Sequence, residues 1–299
     1  MNGFYTDLAM ESGRVGQGLD APGINVARER RGEIERVRVD VLDEEGAREV
    51  GKRPGTYTTL YSPAPESGEA WDRLRDTLAE EVRLLGGLDD DMQGSVLVVG
   101  LGNRKATPDA VGPRAVDRIL CTRALKAEAG LSGLREVTAV APGVYGQTGV
   151  DVGELVGGLV KELRPALIIA LDALCAREPG RIARTVQLTD AGVSPGSGVG
   201  NHRDALTRET LGVPVVAVGV PMVVHASTIL RDALERIAGD SGASLDLGAL
   251  LRSMDGENLV VTPVMIDEAV RAIAALLAEG IDLALQPGLT HRELNALRI

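Results

Sequence analysis

The chain has 299 residues and a formal net charge of −11, with 44% hydrophobic side chains but only 2% aromatic ones. That length allows one large domain or two modest ones, the core must be built from Val, Leu, Ile and Ala, and the acidic balance argues against general affinity for nucleic acid or an anionic membrane surface. Two cysteines, Cys121 and Cys175, give neither a disulfide framework nor metal-ligand spacing, and no signal peptide or long apolar run is found, so a soluble chain in a reducing cytoplasm is expected.

Met1 to Arg31 is polar, contains Gly and has little periodicity, and its first ten or so residues are expected to be loose. Ile34, Val37, Val39 and Val41 predict a strand ended by the acidic cluster Asp43-Glu44-Glu45-Gly46, and Tyr57 to Tyr61 predicts another. Glu69 to Leu85 has helical spacing through Leu74, Leu78, Val82 and Leu85. Ser95 to Leu101 is a Val-rich run that reads as a strand buried on both faces. It turns at Gly100 and Gly102 into a polar loop, and a helix is predicted from Ala110 to about Ala127.

Farther along, Glu136 to Val140 predicts a strand, Asp151 to Leu163 a helix, and Ala166 to Leu171 a buried strand ending at Asp172. Arg184 to Leu188 follows too closely for a long helix between, so an antiparallel edge or hairpin is expected there. Val213 to Val218 is a further strand, with helices from about Ser227 to Ile237 and from Pro263 to about Leu285. Apolar strands alternating with helices predict a three-layer α/β/α fold with a mostly parallel twisted sheet.

Four chemistries can be read from these segments. Gly100-Leu101-Gly102 lacks the third Gly of a dinucleotide fingerprint, since Lys105 stands there, and it reads as a tight turn. The Gly-rich loop Gly192 to Gly200, containing Gly196, Ser197 and Gly198, offers backbone N–H groups to an anion or peptide, or is a plain connector. Cys175 and the histidines His202, His225 and His291 show no pairing by spacing, which disfavours both thiol catalysis and a zinc site.

The fourth is a carboxylate pair. Asp109 and Asp172 each follow a buried apolar strand on the same edge of the sheet, where ligands and catalytic groups collect. Two carboxyls brought close share one proton near neutral pH, so one can take a proton from water while the other donates one. The alternative is that each merely caps a following helix. Asp190 carries the same ambiguity.

Several long segments settle between these readings. They are Gly100-Leu101-Gly102-Asn103, Thr107-Pro108-Asp109-Ala110-Val111-Gly112-Pro113, Ala141 to Gly149 (APGVYGQTG), Leu171-Asp172-Ala173-Leu174-Cys175-Ala176-Arg177, Asp190 to Asn201, Leu211 to Pro221, and Val260-Val261-Thr262-Pro263. In these, in order over nearly the whole chain, the sequence resembles the germination protease family of endospore-forming bacteria, which degrades small acid-soluble spore proteins. The resemblance implies an atypical aspartate-dependent endopeptidase whose two essential aspartates fall on Asp109 and Asp172, and this overturns the capping alternative. It also implies a fold similar to hydrogenase-maturation proteases, a homotetramer, a location in the forespore or spore core, and a zymogen that removes its own N-terminal propeptide.

The family's substrate site reads Thr-Glu, a large apolar residue, then Ala. Thr6-Asp7-Leu8-Ala9 matches it, which makes residues 1–7 a candidate propeptide with the cut between Asp7 and Leu8. Residues 8–299 are then a single α/β peptidase domain with a small β-containing extension at about 33–62. An acidic residue before the cut calls for a cation, and Arg177, Arg181 and Arg203 are candidates. Cys175 and Leu171 stand where the family more often has Ala and Ile. No cofactor or metal is expected. The readings kept beside this one are a metal-dependent maturation-type protease on the same fold and a non-catalytic peptide-binding relative.

Overall fold

A computed structural model of the chain describes residues 5–13, 15–17, 21–63, 68–88, 94–128, 133–195, 205–241 and 259–298. The strands are β1 (Ile24–Arg31), β2 (Ile34–Val41), β3 (Gly55–Tyr61), β4 (Val96–Gly100), β5 (Val137–Val140), β6 (Leu167–Ala176), β7 (Thr185–Thr189), β8 (Val215–His225) and β9 (Val260–Val261). The helices are α1 (Glu44–Val50), α2 (Gly68–Gly86), α3 (Val111–Val116), α4 (Thr122–Glu128), α5 (Tyr145–Thr148) and α6 (Val152–Leu163). Then follow α7 (Arg208–Leu211), α8 (Ala226–Ser241), α9 (Ile266–Leu285) and α10 (His291–Leu297).

Among the described residues the strands form one sheet in the order β1-β2-β3-β7-β8-β6-β4-β5, with β9 paired to β8. β5, β4, β6 and β8 run parallel, and every other pairing is antiparallel. The fold is therefore α/β with a mixed sheet, and the expectation of a mostly parallel one is corrected. The connections explain why. β1 and β2 are joined across the tight turn at Gly32 (φ 62°), and β6 reaches β7 through one 3-10 turn at Pro179–Arg181. Neither link is long enough for a parallel crossover. β7 is antiparallel as foreseen, but it lies inside the sheet between β3 and β8.

Three details differ from the sequence reading or add to it. Residues before Arg31 do hold a strand, β1, but nearly all its side chains are exposed, so no apolar alternation marks it. The acidic cluster after β2 starts helix α1, with Asp43 accepting N–H bonds from Glu45 and Gly46. The single helix predicted from Ala110 is two. At the break, the Leu120 N–H donates to the carboxylate of Asp282, which α9 brings in from far along the chain (3.1 and 3.2 Å).

One face of the sheet packs against α2, α3 and α9 in a continuous core that includes Leu78, Val82, Val98, Ile169, Val218 and Ile273. The opposite face holds two separate clusters. In one, α6 covers β4 and β6 through Val152 and Val156. In the other, Leu8, Ala9, Met10 and Val15 cover Val37, Val39 and Tyr57 of the antiparallel strands. A cleft of about 1590 Å³ opens on this face. None of the described helices is long and apolar enough to cross a membrane.

Candidate active site

Asp109 is held by the loop that leaves β4. Gly102 takes φ 111°, a conformation that side chains rarely adopt, and a Cβ there would lie 2.1 Å from the Asp109 carbonyl oxygen. This fold-back lets the Asn103 N–H donate to Asp109 Oδ2 at 2.6 Å. The Asn103 side chain in turn accepts from the Gln147 amide at 2.5 Å, so α5 braces the same loop. Gly112 lets the start of α3 sit on the strand ends, where a Cβ would meet the carbonyls of Leu101 and Leu171. Asp109 itself lies in a 3-10 turn, Thr107–Asp109, and does not cap α3; Ala110 holds that position without a side-chain bond.

Asp172 does not end its strand, as the sequence suggested. β6 continues to Ala176 because its pairing with β8 continues, across an irregularity after Leu174. No helix follows, so Asp172 caps nothing. Asp172 is paired with Gly219 of β8, and Gly219 is paired with Gln187 of β7. Residues in one such row point to the same face, so Asp172 and Gln187 flank the side-chain-free Gly219 about 10 Å apart.

Surrounding protein pushes both carboxyls up. Burial raises Asp109, against the Asn103 N–H that favours its charged form. Asp172 lies well above the usual carboxylate range, first through burial, then through the charges of Asp109 and Asp7. The pair thus shares the asymmetry that acid–base chemistry needs, one carboxyl better stabilised as an anion and the other as an acid.

The third charge is the unexpected part. Thr6 and Asp7 line this cleft along the end of β6, and Leu8 and Ala9 continue the segment into the core. The Asp7 N–H donates to the Cys175 carbonyl, and the Cys175 N–H donates to Asp7 Oδ2, both at 2.8 Å. Gln187 brackets the next bond: its amide nitrogen donates to the Asp7 carbonyl at 3.0 Å and its oxygen accepts the Ala9 N–H at 2.8 Å. Leu8 and Ala9 are fully buried. Glu11 anchors the segment by accepting from the Thr6 hydroxyl (2.5 Å) and from the backbone N–H groups of Arg177 (2.7 Å) and Glu178 (3.1 Å).

A basic residue that the sequence did not single out lies beside Asp7. Lys52 Nζ donates to the Thr6 carbonyl at 3.0 Å. Burial lowers its pKa, while the charges of Asp7 and Glu11 act the other way. Arg177 is paired with Asp232 at 2.8 Å, and Arg181 with Glu11 at 3.3 Å, so both brace the walls. Arg203, Gly196, Ser197 and Gly198 lie outside the described residues. Asp190 accepts the Thr56 N–H at 2.7 Å and ties β3 to the end of β7. Burial pushes the Cys175 thiol up to about 12, so its backbone, not a thiolate, is what it offers. Among the described residues no three His, Cys, Asp or Glu side chains are gathered to hold a metal.

No motif announces Lys52 or Gln187. Lys52 follows the helix-ending Gly51, an ordinary surface setting by sequence. Gln187 has one usable signal, a long polar side chain alternating with Val186 and Leu188 in a strand that is buried throughout.

Comparison with known proteins gives one consistent result. A family model described as germination protease matches residues 7–249. A germination protease of Caldanaerobacter subterraneus subsp. tengcongensis is 40% identical over 99% of this chain and 98% of its own length. One from Clostridium acetobutylicum is 38% identical over 99% of each chain. One from Priestia megaterium is 42% identical over a shorter stretch, 68% of this chain and 57% of that one.

Proposed function

Because the chain belongs to the germination protease family and is therefore a peptidase, we propose that it cuts small acid-soluble spore proteins during germination, using Asp109 and Asp172 to activate water, and that it is made as a self-processing zymogen. The observation that carries this reading is the position of Asp7 and Leu8. The one segment that matches the family's substrate pattern lies in the cleft that also holds both aspartates.

Asp109, whose charged form the Asn103 N–H favours, takes a proton from water as the water oxygen bonds to the Asp7 carbonyl carbon. Asp172, which retains its proton, passes it to the Leu8 nitrogen as the C–N bond breaks. The first products are a carboxylic acid on Asp7 and an amine on Leu8; the acid gives its proton to the amine, leaving carboxylate and ammonium, and the proton on Asp109 returns to Asp172 through water. In a spore-protein substrate, Glu takes the place of Asp7, read by the Cys175 N–H and by the buried Lys52 side chain. The helix-flanked parallel strands support the likeness to hydrogenase-maturation proteases. The homotetramer and the forespore or spore-core location belong to the same proposal.

The test is the full chain held at mildly acidic pH and followed by intact mass. The wild type yields a new N-terminus at Leu8, and Asp172→Asn stays uncut. The cut slows as pH rises through the raised pKa of Asp172, because the donor proton is then lost. Processing of the variant would reveal another protease, and an unprocessed wild type would remove the zymogen reading.

A further inference from the structure

We propose that Gln187 holds and polarises the carbonyl of the bond to be cut, which makes it a third working residue of the site beside the two aspartates. This rests on the reading that Asp7–Leu8 stands in for a substrate bond. The side chain of Gln187 spans that bond, with its Nε2 donating to the carbonyl before it and its Oε1 accepting the N–H of the residue after Leu8.

The orientation is fixed by chemistry. Turning the carboxamide over would set NH2 against the Ala9 N–H and oxygen against the Asp7 carbonyl, two repulsions in place of two bonds. Gln187 is only 6% exposed, and its strand is paired on both sides, with Thr59 of β3 and Gly219 of β8. A donor held this rigidly needs no rearrangement when the carbonyl oxygen gains negative charge. Gln187 transfers no proton; it strengthens one hydrogen bond as the tetrahedral intermediate forms.

The row across the sheet explains why a residue on β7 can reach the reaction. Gln187 and Asp172 face the same side, on either flank of Gly219. Gly219 itself adds no side chain between them; the atoms nearest to a Cβ there belong to Leu174, whose Cγ would lie 2.6 Å away. A peptide laid along the end of β6, as Asp7 is through Cys175, therefore has the carboxylates on one flank and the carboxamide on the other. A purely structural Gln would also be bonded to the N-terminal segment, so the test must separate holding from polarising.

Full chains carrying the wild-type sequence, Gln187→Leu or Asp172→Asn are followed by intact mass for the cut after Asp7. Wild type and Gln187→Leu are assayed once fully converted, and Asp172→Asn in the state it reaches, on a Thr-Glu-Leu-Ala peptide and on the same peptide N-methylated at the Ala nitrogen. Loss of one such donor costs about 10²–10³-fold in kcat. Gln187→Leu is expected to show that loss both in cis and in kcat on the peptide, with KM changed less than about threefold and the unfolding midpoint within a few degrees of wild type. N-methylation is expected to slow the wild type about tenfold and to cost Gln187→Leu nothing further, since the partner is already gone. A Gln187→Leu chain that raises KM alone, or for which the two losses simply add, overturns the inference. Full activity in Gln187→Leu beside an inert Asp172→Asn overturns Gln187 and leaves the aspartate reading intact. Full activity in Asp172→Asn overturns the aspartate reading, while the kcat of Gln187→Leu still decides Gln187.

Discussion

The parallel and antiparallel halves of the sheet bring different things to the cleft. The parallel half supplies Asp172 from inside β6 and Asp109 from the loop after β4, both on backbone fixed by close packing at Gly102 and Gly112. Beside the Cys175 backbone at the end of β6, the antiparallel half supplies most of the groups that grip a peptide: Gln187 on β7, Lys52 after α1, and the surface of β2 and β3 on which Leu8 lies. Proton transfer needs two carboxyls whose surroundings differ, and parallel strand ends with their tight loops provide that. Peptide binding needs a long groove of partners, which a meander with short turns provides. The join between β8 and β7, where strand direction reverses, is where the two meet.

The strongest way to break this division is to remove chemistry from the parallel half alone. Asp109→Asn is expected to lower kcat on a Thr-Glu-Leu-Ala peptide about 10³-fold or more while KM and the unfolding midpoint stay near wild type. A large rise in KM would instead show that Asp109 also holds the peptide. A smaller effect is expected from the other half. Lys52→Met should raise KM about tenfold with little change in kcat, and should erase the preference of the wild type for Glu over Gln before the cut. Retained preference in Lys52→Met would return the acid-reading role to an arginine.

The smallest effect separates a carboxyl in the cleft from one in the core. Asp282 is 1% exposed, bonded to Arg298 and the Leu120 N–H, and burial raises its pKa to about 6. A carboxyl raised on folding contributes stability that is full below its unfolded value near 4 and is lost as pH rises through about 6. Urea unfolding of the wild type should therefore lose on the order of 2–3 kcal/mol between pH 4 and pH 7 relative to Asp282→Asn. Peptide cleavage should be the same in both. Equal pH slopes for the two chains would show that Arg298 already offsets the burial.

The sequence makes the parallel half far easier to read than the antiparallel half. β4, β6 and β8 are apolar runs because helices cover both of their faces, and α2, α6 and α9 carry clear helical spacing. β1 is invisible because an exposed charged edge has no pattern to detect. The break between α3 and α4 depends on Asp282, whose arrival no local window can foresee. Asp109 and Asp172 were legible from strand-end position and from resemblance, although β6 in fact runs past Asp172. Lys52 and Gln187 were not, because what distinguishes them is the N-terminal segment laid against them.

The burial of Leu8 has a consequence for what a cut after Asp7 would leave behind. A peptide N–H there is neutral, and at present it is bonded to the Thr6 hydroxyl at 3.1 Å. Hydrolysis would turn that nitrogen into an ammonium group and take Thr6 away with the departing fragment. Leu8 would go from the best-seated residue of the segment to a positive charge in an apolar pocket, and a lone ion there is costly to keep dry. The new terminus would tend to swing outward, vacating a leucine-shaped seat that suits the large apolar residue of an incoming chain. Amide exchange at Ala9, slow while Gln187 holds it and fast once the terminus has left, would register the change. Bond cleavage would then act as a latch release, with the charge it creates doing the opening.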